Sequence, residues 1–512
     1  MRALALLLLV LPALASAAEP APYVLPDYIG EPPALPPDAA AAPVPLLLQD
    51  AVLLAIEGNL GIQLEREDRA AAQGTLMASH TRFEPRLTLA YDHGNSRTPP
   101  TSSLDGSADE IFLTTSDGFS VGLSQRLPTA TELGVVFSTD RTSSSLGSAV
   151  DPLVVRDYLG ITLRQPLLQG FGFDLRVPRA SVLRARIRSE QAALALRVEM
   201  ADTVRDTEDL YWDLVLALKT WQVQAASLAL AEKQLELTQR QIDSGVLPPS
   251  DLIQAESSLA RRQLSIPRAR AAIERARDQL QVVLGPDQET WRKAILPLEI
   301  PSFTETVVEL EAALQTAFDH RPELAQARSA AERASLDLAV ATNEVLPELN
   351  VDVGFGVVGQ DSTSAAAAAK LGTFDARAWS AGVSMTWAPV MRAGLGGLRE
   401  AQASKRAAGK QLVQAEVAIE VEVRAAARAL ETASRQVIAA ARFRDLAERS
   451  LDVEQRRFLD GISSNFLVAQ RAEEVAQAQL AEVTALIAHR KARTGYELAT
   501  GQLLAARGIV VE

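Results

Sequence analysis

Four histidines, His80, His93, His320 and His489, are the only imidazoles in the 512 residues, and there is no cysteine. A transition-metal centre needs several such ligands converging, commonly at HExxH or CxxC spacing, and neither spacing occurs. The missing cysteines also exclude disulfides, thiolate nucleophiles and an N-terminal lipid carried on cysteine. Gly354-Phe355-Gly356-Val357-Val358-Gly359 matches GxGxxG. A phosphate cradle requires a helix N-terminus directly after the glycines, whereas this run lies inside a period-two strand pattern. Gly354 and Gly356 read as small residues on one strand face. GxSxG and GxxxxGK[ST] are absent, so neither a nucleophile elbow nor a P-loop is available. The 64 acidic residues fall largely in long charged stretches, where solvated faces and i,i+4 pairs are their ordinary use. No enzyme, no cofactor and no metal are expected. A net charge of −13 argues against nucleic acid as a partner, because phosphate contacts need a concentrated basic face.

The chemistry is thin, so the elements carry the argument. Met1-Arg2 and the apolar run from Ala3 to Leu11, closed by Ala15-Ser16-Ala17, have the form of a signal peptide, residues 1–17. No later stretch offers about 20 uncharged apolar residues, so any insertion into a bilayer must use strands closed into a barrel. Residues 18–45 hold nine prolines between Pro20 and Pro45 and predict an extended arm.

The chain contains itself twice. An ungapped shift of 262 residues lays Leu48, Ala51, Ala55 and Pro85 on Leu310, Ala313, Ala317 and Pro347. A shift of 216 lays Leu214, Trp221, Leu235, Gly245 and Gly285 on Leu430, Val437, Leu451, Gly461 and Gly501. The shifts differ by 46, so the first half carries an insertion of about that size between Pro85 and Leu214. The halves are placed at residues 46–300 and 301–504, followed by a tail, 505–512.

Each half reads as helix, strands and a long helical hairpin. Leu349, Val351, Val353, Phe355 and Val357 alternate with Asn350, Asp352, Gly354 and Gly356. Six strands are expected: near residues 86–93, 118–127, 132–139 and 158–167, then from Glu348 to a loop at 362–369 and back to Ala388. Alternation alone fits a soluble sandwich or a barrel with its apolar face in lipid; export and the aromatic strand ends Trp379 and Trp387 favour the barrel. Between Arg179 and Ser244 there is no proline, and a helix of that length is a rod of roughly 100 Å. Leu214, Trp221, Leu228, Leu235 and Ile242 form one heptad stripe; Leu216, Val223, Leu230 and Leu237 form a second nearly opposite it. Two stripes suit a helix with a neighbour on each flank, as in a cylindrical wall. The return helix, with Leu252, Leu259, Ile266, Ile273 and Leu280, should kink at Pro267. Gly245 and Gly461 are expected to end the outbound helices with φ > 0, and Ser250 and Ser464 or Asn465 to cap the returning ones. Asp251 could join an acidic ring that narrows a tunnel and selects cations, although the matching second-half position, near Asn465, has no charge.

Signal peptide, tandem halves, paired strands and long hairpins together resemble the TolC outer-membrane efflux family over about residues 46–504. Gln165-Pro166-Leu167-Leu168-Gln169-Gly170-Phe171-Gly172 is similar to a strand-to-helix segment of that family, with Ala388-Pro389-Val390-Met391 and Gly394-Leu395-Gly396 as its weaker second copy. The stretches 245–256 and 461–470 resemble its helix-to-helix turns. The resemblance implies an α+β membrane protein, a homotrimer sharing one outer-membrane β-barrel that continues as a periplasmic α-helical barrel. It implies a passive conduit for efflux or type I secretion, in contact with outer-membrane lipid. A periplasmic adaptor and an inner-membrane pump, of the resistance-nodulation-division or ABC type, would dock at the tip formed by Gly245, Ser250, Asp251, Gly461, Ser464 and Asn465. The competing reading is an exported coiled-coil spacer of the envelope that conducts nothing.

Because Ala15 and Ala17 hold the small-residue positions of the cleavage site, N-terminal sequencing of envelope-bound protein is expected to start within one residue of Ala18. Retention of Met1 would contradict export.

Overall fold

The computed structural model describes residues 29, 31, 33–36, 43–99, 111–145, 153–245, 247–285, 294–388 and 392–510. The signal peptide, most of the arm, Pro389, Val390 and Met391 lie outside the described residues. The first half runs β1 (Val44–Leu46), α1 (Leu48–Gly58), α2 (Leu60–His80), β2 (Arg86–Thr98), β3 (Phe112–Arg126), β4 (Glu132–Ser144), β5 (Leu153–Pro166), α3 (Ala180–Asp243) and α4 (Ser250–Leu284). The second runs β6 (Ile295–Pro297), α5 (Leu310–His320), α6 (Pro322–Glu344), β7 (Glu348–Asp361), α7 (Ser364–Leu371), β8 (Arg377–Thr386), α8 (Arg392–Leu459), α9 (Asn465–Ala499) and α10 (Leu503–Ala506). The paired helices α1 and α5 have 11 residues each, and α4 and α9 have 35 each.

Contacts divide the chain into two compact units, one made of Met1–Asn59, Thr203–Ala313 and Arg424–Leu498, the other of Leu60–Asp202, Leu314–Val423 and Ala499–Glu512. The second holds a single antiparallel sheet in the order β2-β3-β4-β5-β7-β8. The inserted hairpin β3–β4 is therefore part of the sheet, between β2 and β5. Register is continuous across every pair, so the period-two pattern of each strand adds to that of its neighbour. At one end lie the tight β3–β4 turn, where Ala130 takes φ 65°, and the junctions with α2, α3, α6 and α8. At the other end lie the three long connections.

The connection after β7, expected as a loop over 362–369, contains α7 instead. Its alanine run is a strong helix former once Thr363 begins it. α7 packs on β5 and β7, and a Cβ on Gly359 would strike the Ala367 carbonyl. Beneath it Val155, Asp157 and Val357 are buried.

In the other unit, β1 and β6 pair in parallel over a core of Tyr211, Trp212, Leu214, Val215 and Leu218 from α3 with Ile273 and Leu280 from α4 and Val483 and Leu486 from α9. The expected arm is partly built into this core: Ile29 is fully buried, and Lys219 donates to the Glu31 carbonyl at 2.6 Å. Burial pushes the Lys219 ammonium down to about 8 and the Tyr211 phenol up to about 12. α1 and α4 meet end to end. A Cβ on Gly58 would strike the Leu284 carbonyl, and one on Gly285 (φ 115°) would lie 2.6 Å from the Gly58 oxygen. α4 runs through Pro267 as one helix. One 18-residue window of α3 is apolar enough on composition to cross a bilayer, but this helix supplies the residues of the core just named.

Tyr211 ties the pieces of this unit together: its hydroxyl donates to the Leu46 carbonyl at 2.9 Å and accepts from the Glu299 amide at 3.1 Å. Tyr211→Phe takes the partner from the partly buried Glu299 amide and one of two hydrogen bonds from the Leu46 carbonyl, which keeps the Leu298 amide, a loss of about 1–3 kcal/mol. Thermal or denaturant unfolding of the variant measures it.

Candidate functional site

Two places gather the residues that the sequence singled out: the faces of the sheet and the two helix-to-helix turns. On one sheet face, Leu87, Leu123, Val135, Ile161, Phe355 and Trp379 form a row in which each residue is the register partner of the next. Leu89, Val121, Phe137, Leu159 and Val357 form the adjoining row. Most of this apolar face is uncovered, with Trp379 at 78% exposure and Leu89 at 62%. On β7 the face runs from Leu349 to Val357, about 27 Å along the strand at 3.4 Å per residue.

The opposite face is small and polar. Thr88, Gly122, Val136, Gly160, Gly356 and Ala378 form one of its rows. Gly356 belongs to the GxGxxG match, and its role is visible: a Cβ there would lie 2.5 Å from the Tyr158 ring. Tyr158 lies flat over Gly160 and Gly356, shielding strand backbone that glycine leaves bare. Nearer the tight turn the same face carries Arg126, Glu132, Arg164 and Asp352 as successive register partners. Arg126 and Glu132 are 3.6 Å apart, and Arg164 donates to Asp352 at 2.7 Å. The alternating signs cancel pairwise.

The junction motif 165–172 is held by a residue that sequence reading passed over. Asn343, at the end of α6, donates to the Leu168 carbonyl at 2.9 Å and accepts from the Gly170 amide at 2.6 Å. Gly170 and Gly172 have φ of 88° and 53°, which glycine adopts at little cost.

At the turns, Gly245 and Gly461 both have φ 73°. The Gly461 amide donates to the Phe458 carbonyl and the Ile462 amide to the Arg457 carbonyl, 3.1 and 2.9 Å. That pair of bonds is the Schellman closure of a helix C-terminus. Gly245 makes the equivalent first bond, to the Ile242 carbonyl at 2.9 Å. Neither glycine has an atom within 4 Å of a would-be Cβ, so the requirement is one of backbone conformation. Ser464 caps α9, its hydroxyl 3.4 Å from the Leu467 amide. Ser250 does not cap α4. The cap position is Pro249, without a side-chain bond, because the Pro248-Pro249 pair has already set the backbone for the helix. Asp251 is half-buried in the first turn of α4. Asn465 is not its mirror. It is buried, accepts from Gln234 Nε2 at 2.6 Å and donates to Thr238 Oγ1 at 2.9 Å. The start of α9 is thereby fixed to α3. Arg262 adds a second polar tie, reaching Ser227 and, at 2.8 Å, Glu473. Leu459, Ile462 and Phe466 stand exposed around the second turn.

Among the described residues no three His, Asp or Glu side chains are placed to hold a metal ion. His93 and Tyr91 converge on Asp117, at 2.8 and 3.1 Å, but on an exposed strand surface. What the arrangement offers is surface: an apolar band backed by a polar face, and two glycine-closed turns.

A sequence model of the outer membrane efflux protein family matches residues 126–286 and 313–502. No curated protein sequence matches the chain. Solved structures share its fold. The outer-membrane channel OprN aligns with TM-score 0.65 over 89% of this chain and 90% of its own, at 19% identity. The CmeC outer membrane channel of Campylobacter jejuni gives 0.66 over 95% and 93%, at 13% identity. The MtrE outer membrane channel of Neisseria gonorrhoeae, in its open state, gives 0.61 over 89% of each chain, at 16% identity.

Proposed function

The chain belongs to the outer membrane efflux protein family, and from that premise we propose that it is one subunit of a homotrimeric, passive conduit from periplasm to exterior. The observation that carries the reading is the pair of cross-strand rows. A solvent-exposed face of Leu, Val, Phe and Trp running across six strands is unfavourable in water and is what a lipid-facing barrel wall requires. Free edges at β2 and β8 leave backbone groups unpaired, which hydrocarbon does not tolerate. Pairing β8 of one copy with β2 of the next closes the wall. With six strands per protomer the barrel has eighteen, wider than a twelve-stranded one. The small polar face lines the lumen. The end bearing the tight turn and the helix junctions faces the periplasm, and the long connections face outward.

The helices continue the conduit. In a single chain the second stripe of α3 opens from buried Val223 to exposed Leu237, as expected where a neighbouring protomer completes the packing. Gly245, Ser250, Asp251, Gly461, Ser464 and Asn465 mark the tip at which a periplasmic adaptor engages and an inner-membrane pump is coupled, in efflux or type I secretion. Asp251 contributes acidic charge there. Asn465 serves the fold of the hairpin. The subunit performs no catalysis; its tandem halves, 46–300 and 301–504, share one plan. A spacer without conduction would leave the apolar rows unexplained.

Two measurements test this. The purified mature protein is expected to migrate faster in unboiled than in boiled detergent gels and to give discrete conductance steps in planar bilayers; a protein that does neither is a spacer. Gly245→Val and Gly461→Val each force a β-branched residue to φ 73°, at about 1–2 kcal/mol of local strain. Export is expected to fall while the trimer band persists on the gel, and unchanged export in both variants would reduce the glycines to helix caps.

A further inference from the structure

His489 on α9 is almost fully buried, at 1% exposure, and neither ring nitrogen has a hydrogen-bond partner among the described residues. A neutral imidazole always carries one N–H, so this is an uncompensated group in the core of its unit. Its ring meets Phe303 edge to face, with centroids 4.9 Å apart. Phe303 belongs to the extended segment that leaves β6 after Pro297. That segment is pinned at three places: the Leu298 amide donates to the Leu46 carbonyl at 3.1 Å, the Glu299 amide to the Tyr211 hydroxyl, and Arg490 Nη1 to Ser302 Oγ at 3.3 Å. Phe303 closes it onto His489.

The charges around His489 are unsuited to a second positive one. On α9 itself Arg490 and Arg493 act on the ring. Of the carboxylates near them, Glu497 takes Arg493 at 3.0 Å. From α3, Glu208 accepts from Thr494 at 2.6 Å and Asp213 pairs with Lys491 at 2.7 Å. From α8, Arg444 meets Glu482 at 3.4 Å. The strap contributes Phe303 and the Ser302 hydroxyl, while its one carboxylate, Glu299, acts on Tyr211. Asp209 of α3 also faces Lys491, its carboxyl pushed up to about 6 by burial, and among the described residues no carboxylate is hydrogen-bonded to the imidazole.

We propose that His489 and Phe303 form an acid-released latch that holds the strap of residues 298–303 on the helical unit. Protonation of the ring creates a buried cation beside two guanidinium groups with no anion to receive it. Moving Phe303 outward admits water to the ring and relieves that cost. Burial, and then Arg490 and Arg493, hold the His489 pKa below its ordinary value. The sign follows. The unfolded or opened chain protonates first, near the usual 6.5, so the latch is at full strength above that pH and weakens as pH falls below it. The strap and its latch lie within one unit and do not depend on the role given to the sheet.

Hydrogen exchange of the full-length mature protein in detergent, at pH 7.5 and pH 5.0 and corrected for intrinsic rates, tests the latch. In the wild type, exchange of peptides covering 298–303 is expected to rise several-fold at the lower pH. His489→Leu removes the titrating group and is expected to abolish the rise; His489→Gln is the second variant should leucine fold poorly, and it too cannot take up a proton. An equal rise in wild type and variants, or no rise in the wild type, overturns the proposal.

Discussion

A strand sorts its side chains onto two faces by a period of two, and six strands sort together only if none slips against its neighbour. In this chain the register runs without a break from Arg86↔Ser124 to Val357↔Arg377, and everything assigned to the sheet depends on that continuity. A slip of one residue at any pair would put Gly122 or Gly160 among the leucines and turn Val121 or Ile161 onto the small, polar face. The backbone is subject to the same constraint. Ladder bonds satisfy the interior strands, while β2 and β8 each keep an unsatisfied side. The proposed closure with other copies would satisfy both edges.

The helices solve a different problem. Heptad stripes fix which face of a helix packs, but an alanine-rich face tolerates sliding along the axis. Polar contacts supply the missing axial position: Asn465 to Gln234 and Thr238, and Arg262 to Ser227 and Glu473. Buried hydrogen bonds are satisfied at one register and orphaned at the next, so these few residues set how the hairpins align. The Schellman closures at Gly245 and Gly461 then fix where each hairpin turns.

Much of this was legible in the residues. Alternation located all six strands because Leu, Val and Phe mark one face so regularly, and the starts at Arg86, Glu132 and Glu348 were read correctly. The strands run further toward their long connections than expected, since Asn95, Ser96, Thr114 and Ser116 keep the ladder without alternating. The helix in 364–371 was missed because serines and alanines between two strands look like a loop, although an alanine run has the highest helix propensity of any sequence. Ser250 has the residue type of a cap, but the two prolines before it set the start of α4. Buried Asn343, Lys219 and His489 gave no signal at all. Each lies in an ordinary helical stretch, and only packing against segments far away in sequence buries it. The arm's Ile29 was hidden in the same way by a proline-rich composition that reads as unstructured.

The end-to-end meeting of Gly58 and Gly285 has a consequence for how this chain can diverge. Each glycine occupies the space that a side chain on the other segment would need, so neither position can accept a substitution while the other keeps its backbone. The shifts that align the two halves put His320 opposite Gly58 and Gly501 opposite Gly285. In that copy a Cβ on Gly501 would come within 3.1 Å of His320 and Arg321, and yet His320 keeps its side chain. One copy of the junction thus constrains a single glycine and the other constrains two. The two junctions are expected to vary unequally, the second at residue 320 and the first not at all unless both glycines move together.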